Sequence, residues 1–83
     1  MKKSNKGISH SIVSPMAAAV VSVTVKSGQD VEQGEIIATI ESMKMQTAIE
    51  TPVAGTVVDL NVTVGETIQS NHEICRVEES IGS

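Results

Sequence analysis

The chain has 83 residues, of which 40% are hydrophobic, and it contains no Phe, Tyr or Trp. A chain this short forms one small core, and without aromatic side chains it cannot easily line a ligand pocket. We therefore expect a protein that functions through its surface, and not an enzyme. The net charge is -4, an acidic balance that predicts no binding of nucleic acid.

The two ends of the chain are predicted to be tails. The first eleven residues are polar and hold three of the six cations, so we predict a flexible tail over 1–11, a folded domain over 12–79 and a short tail over 80–83. No apolar run is long enough for a signal peptide or for the roughly 18 to 20 residues of a membrane span. These features predict a cytoplasmic protein.

The strands are predicted from alternation. Apolar and polar side chains alternate over 21–25 and over 58–62, the period of two that is typical of a strand with one buried face. Second strands follow at 36–40 and 74–77. No segment shows a helical stripe, so the predicted fold class is all-β.

An internal repeat organises these strands. A shift of 37 residues lays 14–41 over 51–78 without a gap, and eight positions are identical, among them three valines, a proline and a glycine. Two such units predict a pseudo-twofold sandwich or flattened barrel in which each unit covers the apolar face of the other.

Turns separate the strands at equivalent places in the two copies. Gly28 overlies Gly65, and Gly34 overlies Asn71. Glycine and asparagine are the residue types that most readily accept positive φ, so we predict turns at these positions.

A bridge over 42–50 joins the repeats and is predicted to have no counterpart. Strands over 36–41 and 47–50 would pair as a hairpin with Met43-Lys44-Met45 around its tip. Flexible, polarizable methionines suit a surface that several partners grip. The plainer alternatives are a solvated turn lysine and methionines that pack in the core.

The remaining histidine, cysteine and acidic residues form no recognisable metal-binding or catalytic motif. His10 and His72 have no potential metal ligand at useful spacing, so we predict no metal site. Cys75 overlies an alanine in the repeat, which indicates a small buried side chain. The acidic residues are scattered, so we predict no catalytic residues.

The motif Glu41-Ser42-Met43-Lys44-Met45, followed by Thr-Pro-Val-Ala-Gly-Thr-Val at 51–57, resembles the biotinyl domain of biotin-dependent carboxylases. The resemblance covers roughly 14–77. The family has Ala-Met-Lys-Met, a Pro-Met segment upstream and a Pro-x-x-Gly segment downstream. All three pieces are present, with Ser42 in place of the usual alanine.

Two further comparisons with the family pattern affect the expected structure. Ala18 stands where many relatives have glycine, although its repeat mate Gly55 keeps it; if position 18 needs positive φ, alanine adds strain. No insertion interrupts 25–31, where carriers of the bacterial acetyl-CoA carboxylase type have a protruding thumb. The chain therefore resembles the thumbless carriers.

The resemblance implies a hammerhead fold of two four-stranded antiparallel sheets. It implies that biotin protein ligase attaches biotin to Lys44, with Glu41, Ser42, Met43 and Met45 as recognition flanks. The biotin would carry carboxylate between a biotin carboxylase and a carboxyltransferase, and the domain itself would be non-catalytic. The alternatives are a lipoyl carrier, although lipoyl domains typically place Asp before the lysine, and an unmodified interaction module.

Overall fold

The structure is a computed structural model, and it describes residues 8–79. This part of the chain contains eight strands and no helix, hence no helix able to cross a membrane. The strands are β1 (Ser9–Val13), β2 (Ala18–Val23), β3 (Asp30–Val31), β4 (Ile36–Ser42), β5 (Met45–Glu50), β6 (Gly55–Val58), β7 (Thr67–Ile68) and β8 (Glu73–Glu79).

The strands form two antiparallel four-stranded sheets, in the orders β1-β8-β6-β3 and β5-β4-β2-β7. The predicted all-β fold is therefore confirmed. Branched aliphatic side chains dominate the buried core, because they pack well on pleated strands. The largest fully buried apolar side chains are Ile37, Ile40, Ile68, Ile74, Val57 and Val77.

The two sheets are equivalent under the shift of 37 residues. Strands β2, β3 and β4 map onto β6, β7 and β8. The buried Ser14 hydroxyl donates to the Met16 carbonyl over 2.5 Å, and the buried Thr51 hydroxyl donates to the Val53 carbonyl over 2.6 Å. Each copy thus satisfies its buried hydroxyl group in the same turn.

The first strand corrects the predicted boundary of the domain. Residues 9–11 fall within the predicted tail 1–11, yet they belong to β1, where Ser9 pairs with Glu78 and Ser11 with Arg76. The rest of that predicted tail, 1–7, and the predicted tail 80–83 lie outside the described residues. The Ser-His-Ser start of β1 has too few apolar residues to indicate a strand by itself.

The same strand overturns the prediction that 42–50 has no counterpart. β5 maps onto β1 under the shift of 37 residues, and Ile49 falls on Ile12, both buried. β1 pairs with β8 just as β5 pairs with β4. The repeat is therefore longer than predicted, and it includes the strand that follows the hairpin tip.

The predicted turns are confirmed at Gly28, Gly34, Gly65 and Asn71, and all four residues have positive φ. Ala18 is not among the positive-φ residues, so alanine adds no strain there. The connection from β2 to β3 covers only 24–29, as expected of a thumbless carrier.

Candidate functional site

The lysine of the Met-Lys-Met motif lies in a two-residue hairpin loop. Ser42 pairs with Met45, which leaves Met43 and Lys44 as the connection between β4 and β5. Their φ angles are 54° and 67°, the positive pair that defines a type I′ turn. This turn matches the twist of the flanking strands, but non-glycine residues adopt it at a cost of about 1–2 kcal/mol each.

The tip of this hairpin projects into solvent. Met43 is 92% exposed and Met45 is 73% exposed, and Lys44 is exposed between them. The alternative that these methionines pack in the core is therefore wrong. Among the described residues, no carboxylate forms an ion pair with Lys44. The amine is free to meet an incoming reagent.

Both strands of the hairpin are anchored in the core below its tip. Ile40 of β4 is 1% exposed and pairs with Val20 of the neighbouring β2. Ile49 of β5 is 8% exposed and pairs with Ala38. The two strands that carry the lysine are therefore fixed by the core, while the loop itself makes few contacts.

Two of the predicted recognition residues flank the loop on the strand. Glu41 and Ser42 are partly buried at the end of β4. Glu41 lies between Gln46 of β5 and Ala19 of β2 in the sheet register. The sequence reasoning missed Gln46 and Ala19 as neighbours of Glu41; the period of two along β5 was the signal for Gln46.

The two histidines and the cysteine lie on the paired strands β1 and β8 and in the turn before β8. His10 contacts Glu79 over 2.9 Å across β1 and β8, whereas His72 lies in the turn before β8. Within residues 8–79, no three His, Cys, Asp or Glu side chains converge to hold a metal ion. Cys75 is fully buried, as predicted, and burial, with a smaller contribution from Glu73, raises the pKa of its thiol from 9.0 to about 11.

A rigid two-sheet body that presents one exposed lysine on a tight hairpin loop is the architecture of a carrier domain, in which a side chain holds a cofactor at a distance from the core. The family model described as "Biotin-requiring enzyme" matches residues 10–77. The chain belongs to this family.

Curated relatives refine this class. The chain is 30% identical over 68 residues to the biotin carboxyl carrier protein of acetyl-CoA carboxylase from Solanum lycopersicum, covering 82% of this chain and 97% of that protein. It is 35% identical over 70 residues to the mitochondrial methylcrotonoyl-CoA carboxylase subunit alpha of Oryza sativa subsp. japonica, covering 84% of this chain and 10% of that subunit.

Solved structures agree on the fold. A single-chain, multi-domain long-chain acyl-CoA carboxylase matches with a TM-score of 0.81 and 25% identity, over 87% of this chain and 7% of that chain. The urea carboxylase of Kluyveromyces lactis matches with a TM-score of 0.78 and 16% identity, over 93% and 7%. The chain therefore spans a tenth or less of these large carboxylases but nearly the full length of the tomato carrier.

Together with the fold, these relatives confirm the predicted class: the chain is a biotinyl domain of the biotin-dependent carboxylase type, with the role of a biotin carrier.

Proposed function

We propose that Lys44 is the residue that carries biotin, through an amide between its Nζ and the biotin carboxyl group. The observation that supports this assignment is the tip geometry: a type I′ loop holds Lys44 in solvent between two exposed methionines. Lys26, the nearest other lysine in the sequence, lies in the connection from β2 to β3 and has no such flanks.

The attachment requires an activated form of biotin, because an amine does not displace oxygen from a free carboxylate. The partner is a biotin protein ligase that presents biotin as an acyl-adenylate. The unprotonated Lys44 amine attacks the acyl carbon, AMP leaves, and the amide forms with loss of the lysine charge. Met43, Met45, Glu41 and Ser42 form the surface that the ligase contacts.

The attached group serves as a tethered substrate. Biotin supplies a ureido nitrogen that accepts carboxylate in a biotin carboxylase and gives it up in a carboxyltransferase. The tether keeps this group at an effective concentration on the order of millimolar for nearby active sites. The carboxylases among the relatives support these two partners, and the domain contributes no catalytic group.

The chain's own contribution is to fix the root of the arm. The buried Ile40 and Ile49 hold β4 and β5 in register, so the Cα of Lys44 moves with the whole sandwich. Because the attachment point is fixed, the biotinyl-lysine side chain can move only within its own length of that point. The predicted cytoplasmic location of the chain stays a prediction.

Intact mass and peptide mapping test the assignment. The wild-type chain, incubated with a biotin protein ligase, biotin and ATP, should gain one biotinyl group on the peptide that contains Lys44. Lys44→Arg should gain none, and Lys26→Arg, the matched control, should gain one. Biotin on another residue, or lipoate on Lys44 in material from its own cells, would show that the assignment is wrong.

A further inference from the structure

The pseudo-twofold repeat gives the molecule two equivalent outer sheet surfaces. We call the outer surface of β5-β4-β2-β7 the hairpin face, which includes Ala19, Ser22, Ile36, Thr39, Glu41, Ala48 and Glu50. The shift of 37 residues places these on the far face, the outer surface of β1-β8-β6-β3, which includes Thr56, Asp59, Glu73, Arg76, Glu78, Ser11 and Val13. Comparison of the two faces separates what the fold requires from what each surface does.

The far face is charged and internally paired. Arg76 forms ion pairs with Asp59 and Glu73, and the Ser11 hydroxyl donates to Glu73 over 2.7 Å. The Asn61 amide donates to the other Glu73 oxygen over 3.1 Å. Removing such a network from water is costly, so this face is suited to solvent.

The hairpin face has a different chemistry at the same register positions. Thr39 stands in place of Arg76, Ser22 in place of Asp59, and the 42% exposed Ile36 in place of Glu73. Of these seven residues only Glu41 and Glu50 are charged, against four of the seven on the far face. Depletion of charge is typical of the core of a protein interface, because a surface with few charges is easily desolvated.

We propose that the hairpin face is the docking surface for the biotin protein ligase, an inference that rests on the proposed modification of Lys44. The matching ligase surface is largely uncharged, with a cationic side chain opposite Glu41. The hairpin face continues directly from the lysine, since β4 and β5 carry both. A partner that binds the tip therefore meets this face next.

The short reach of the unmodified lysine favours the ligase over the carboxylase domains as the occupant. Five bonds of about 1.5 Å place Nζ roughly 6 Å from Cα, so the hairpin tip must enter the ligase active site before biotin is attached. The six residues of β5 extend about 20 Å behind the tip.

The repeat supplies a test with a matched control. The double variant Thr39→Arg/Ser22→Asp gives the hairpin face two residue types that the far face already carries at equivalent positions. The control Arg76→Thr/Asp59→Asn removes the same two charges from the far face. Each variant adds or removes one cation and one anion, so both keep the net charge of -4.

The measurement is the steady-state rate of biotin incorporation as the concentration of the carrier chain is varied. The hairpin-face variant should raise KM by about tenfold or more with kcat nearly unchanged, because the added ion pair, like that of Arg76 and Asp59, must lose water when the partner docks. The control should keep the wild-type KM. If the double variant does not fold, Ala48→Arg should show the same rise and its repeat mate Ser11→Arg should not.

The outcomes separate this inference from the proposed function. A wild-type chain that gains no biotin on Lys44 contradicts the proposed function itself. A wild-type chain that is modified, with an unchanged KM in the hairpin-face variant, overturns only the docking surface. If that variant is biotinylated normally but is carboxylated slowly, the occupant is a carboxylase domain and the proposal is wrong. A dimer that dissociates in the variant at unchanged KM would equally contradict it, because a second copy would then cover the face.

Discussion

Replacement of Gly55 by alanine would place a methyl group inside the backbone of β8. The added Cβ would lie 2.1 Å from the Glu78 carbonyl oxygen and 2.8 Å from the Glu78 carbonyl carbon. Ordinary contact begins at 3.4 Å, so β8 would have to move by 3.4 minus 2.1, or 1.3 Å. The obstacle is backbone, and it cannot rotate away as a side chain does.

The cost follows from two effects. Overpacking of this kind costs about 1–3 kcal/mol, and separating β6 from β8 weakens their pairing at Gly55–Glu79 and Thr56–Glu78, at about 1 kcal/mol for each ladder hydrogen bond lost. We expect Gly55→Ala to lower the free energy of unfolding by about 3 kcal/mol. In a domain of this size, that corresponds to a fall in Tm of roughly 12 °C or more.

The repeat mate provides the control. Ala18 already carries a Cβ and is 6% exposed. Ala18→Gly removes one buried methyl group, which lowers the free energy of unfolding by about 0.8 kcal/mol. The greater conformational entropy of glycine in the unfolded chain lowers it by a further amount of about 0.5–1 kcal/mol. Thermal unfolding followed by far-UV circular dichroism measures both variants. A Tm for Gly55→Ala within about 4 °C of the wild type would refute the steric reasoning, since that is the shift expected from only about 1 kcal/mol.

Two further predictions concern the core and the hairpin loop. Because burial raises the pKa of the Cys75 thiol to about 11, its protonated form stabilises the fold up to about pH 9, and this contribution of roughly 2–3 kcal/mol is lost as the pH rises towards 11. Denaturant unfolding at pH 8 and pH 11 should show a larger loss for the wild type than for Cys75→Ala; equal losses would contradict the prediction. Met43→Asn should raise Tm by roughly 4–8 °C, because asparagine relieves about 1 kcal/mol of left-handed strain, while KM for the ligase increases. An unchanged KM would show that the ligase does not contact Met43.

Much of the fold was accessible from the sequence because its strands have one buried face. The alternation along β2 and the second strand β4, with their repeat mates, predicted the two-unit sandwich. β1 was missed because Ile12 is its one buried residue among Ser, His and Val. The alternation signal needs several apolar positions, and pairing with β8 across the whole length of the chain supplies what the local sequence lacks.

The candidate site was predicted in position but not in geometry. The Met-Lys-Met motif located the tip, yet Met43 and Lys44 are poor type I′ residues, and no local preference indicates their positive φ. The turn is imposed by the register of β4 and β5. The difference between the two outer faces was also hidden, since a neutral residue such as Thr39 has meaning only beside its repeat mate Arg76.

The adjacency of Ile8 and Glu79 determines how this domain can be built into a larger polypeptide. The Glu79 amide donates to the Ile8 carbonyl over 2.9 Å. At the same place Glu79 pairs with Gly55 of β6, which in turn pairs with Val31 of β3. The repeat relates this corner to the hairpin loop at the other extremity of the sandwich. A host chain can therefore enter and leave the domain at neighbouring points and still leave Lys44 unobstructed. The domain can thus be inserted into a surface loop of another protein as readily as it can be joined end to end.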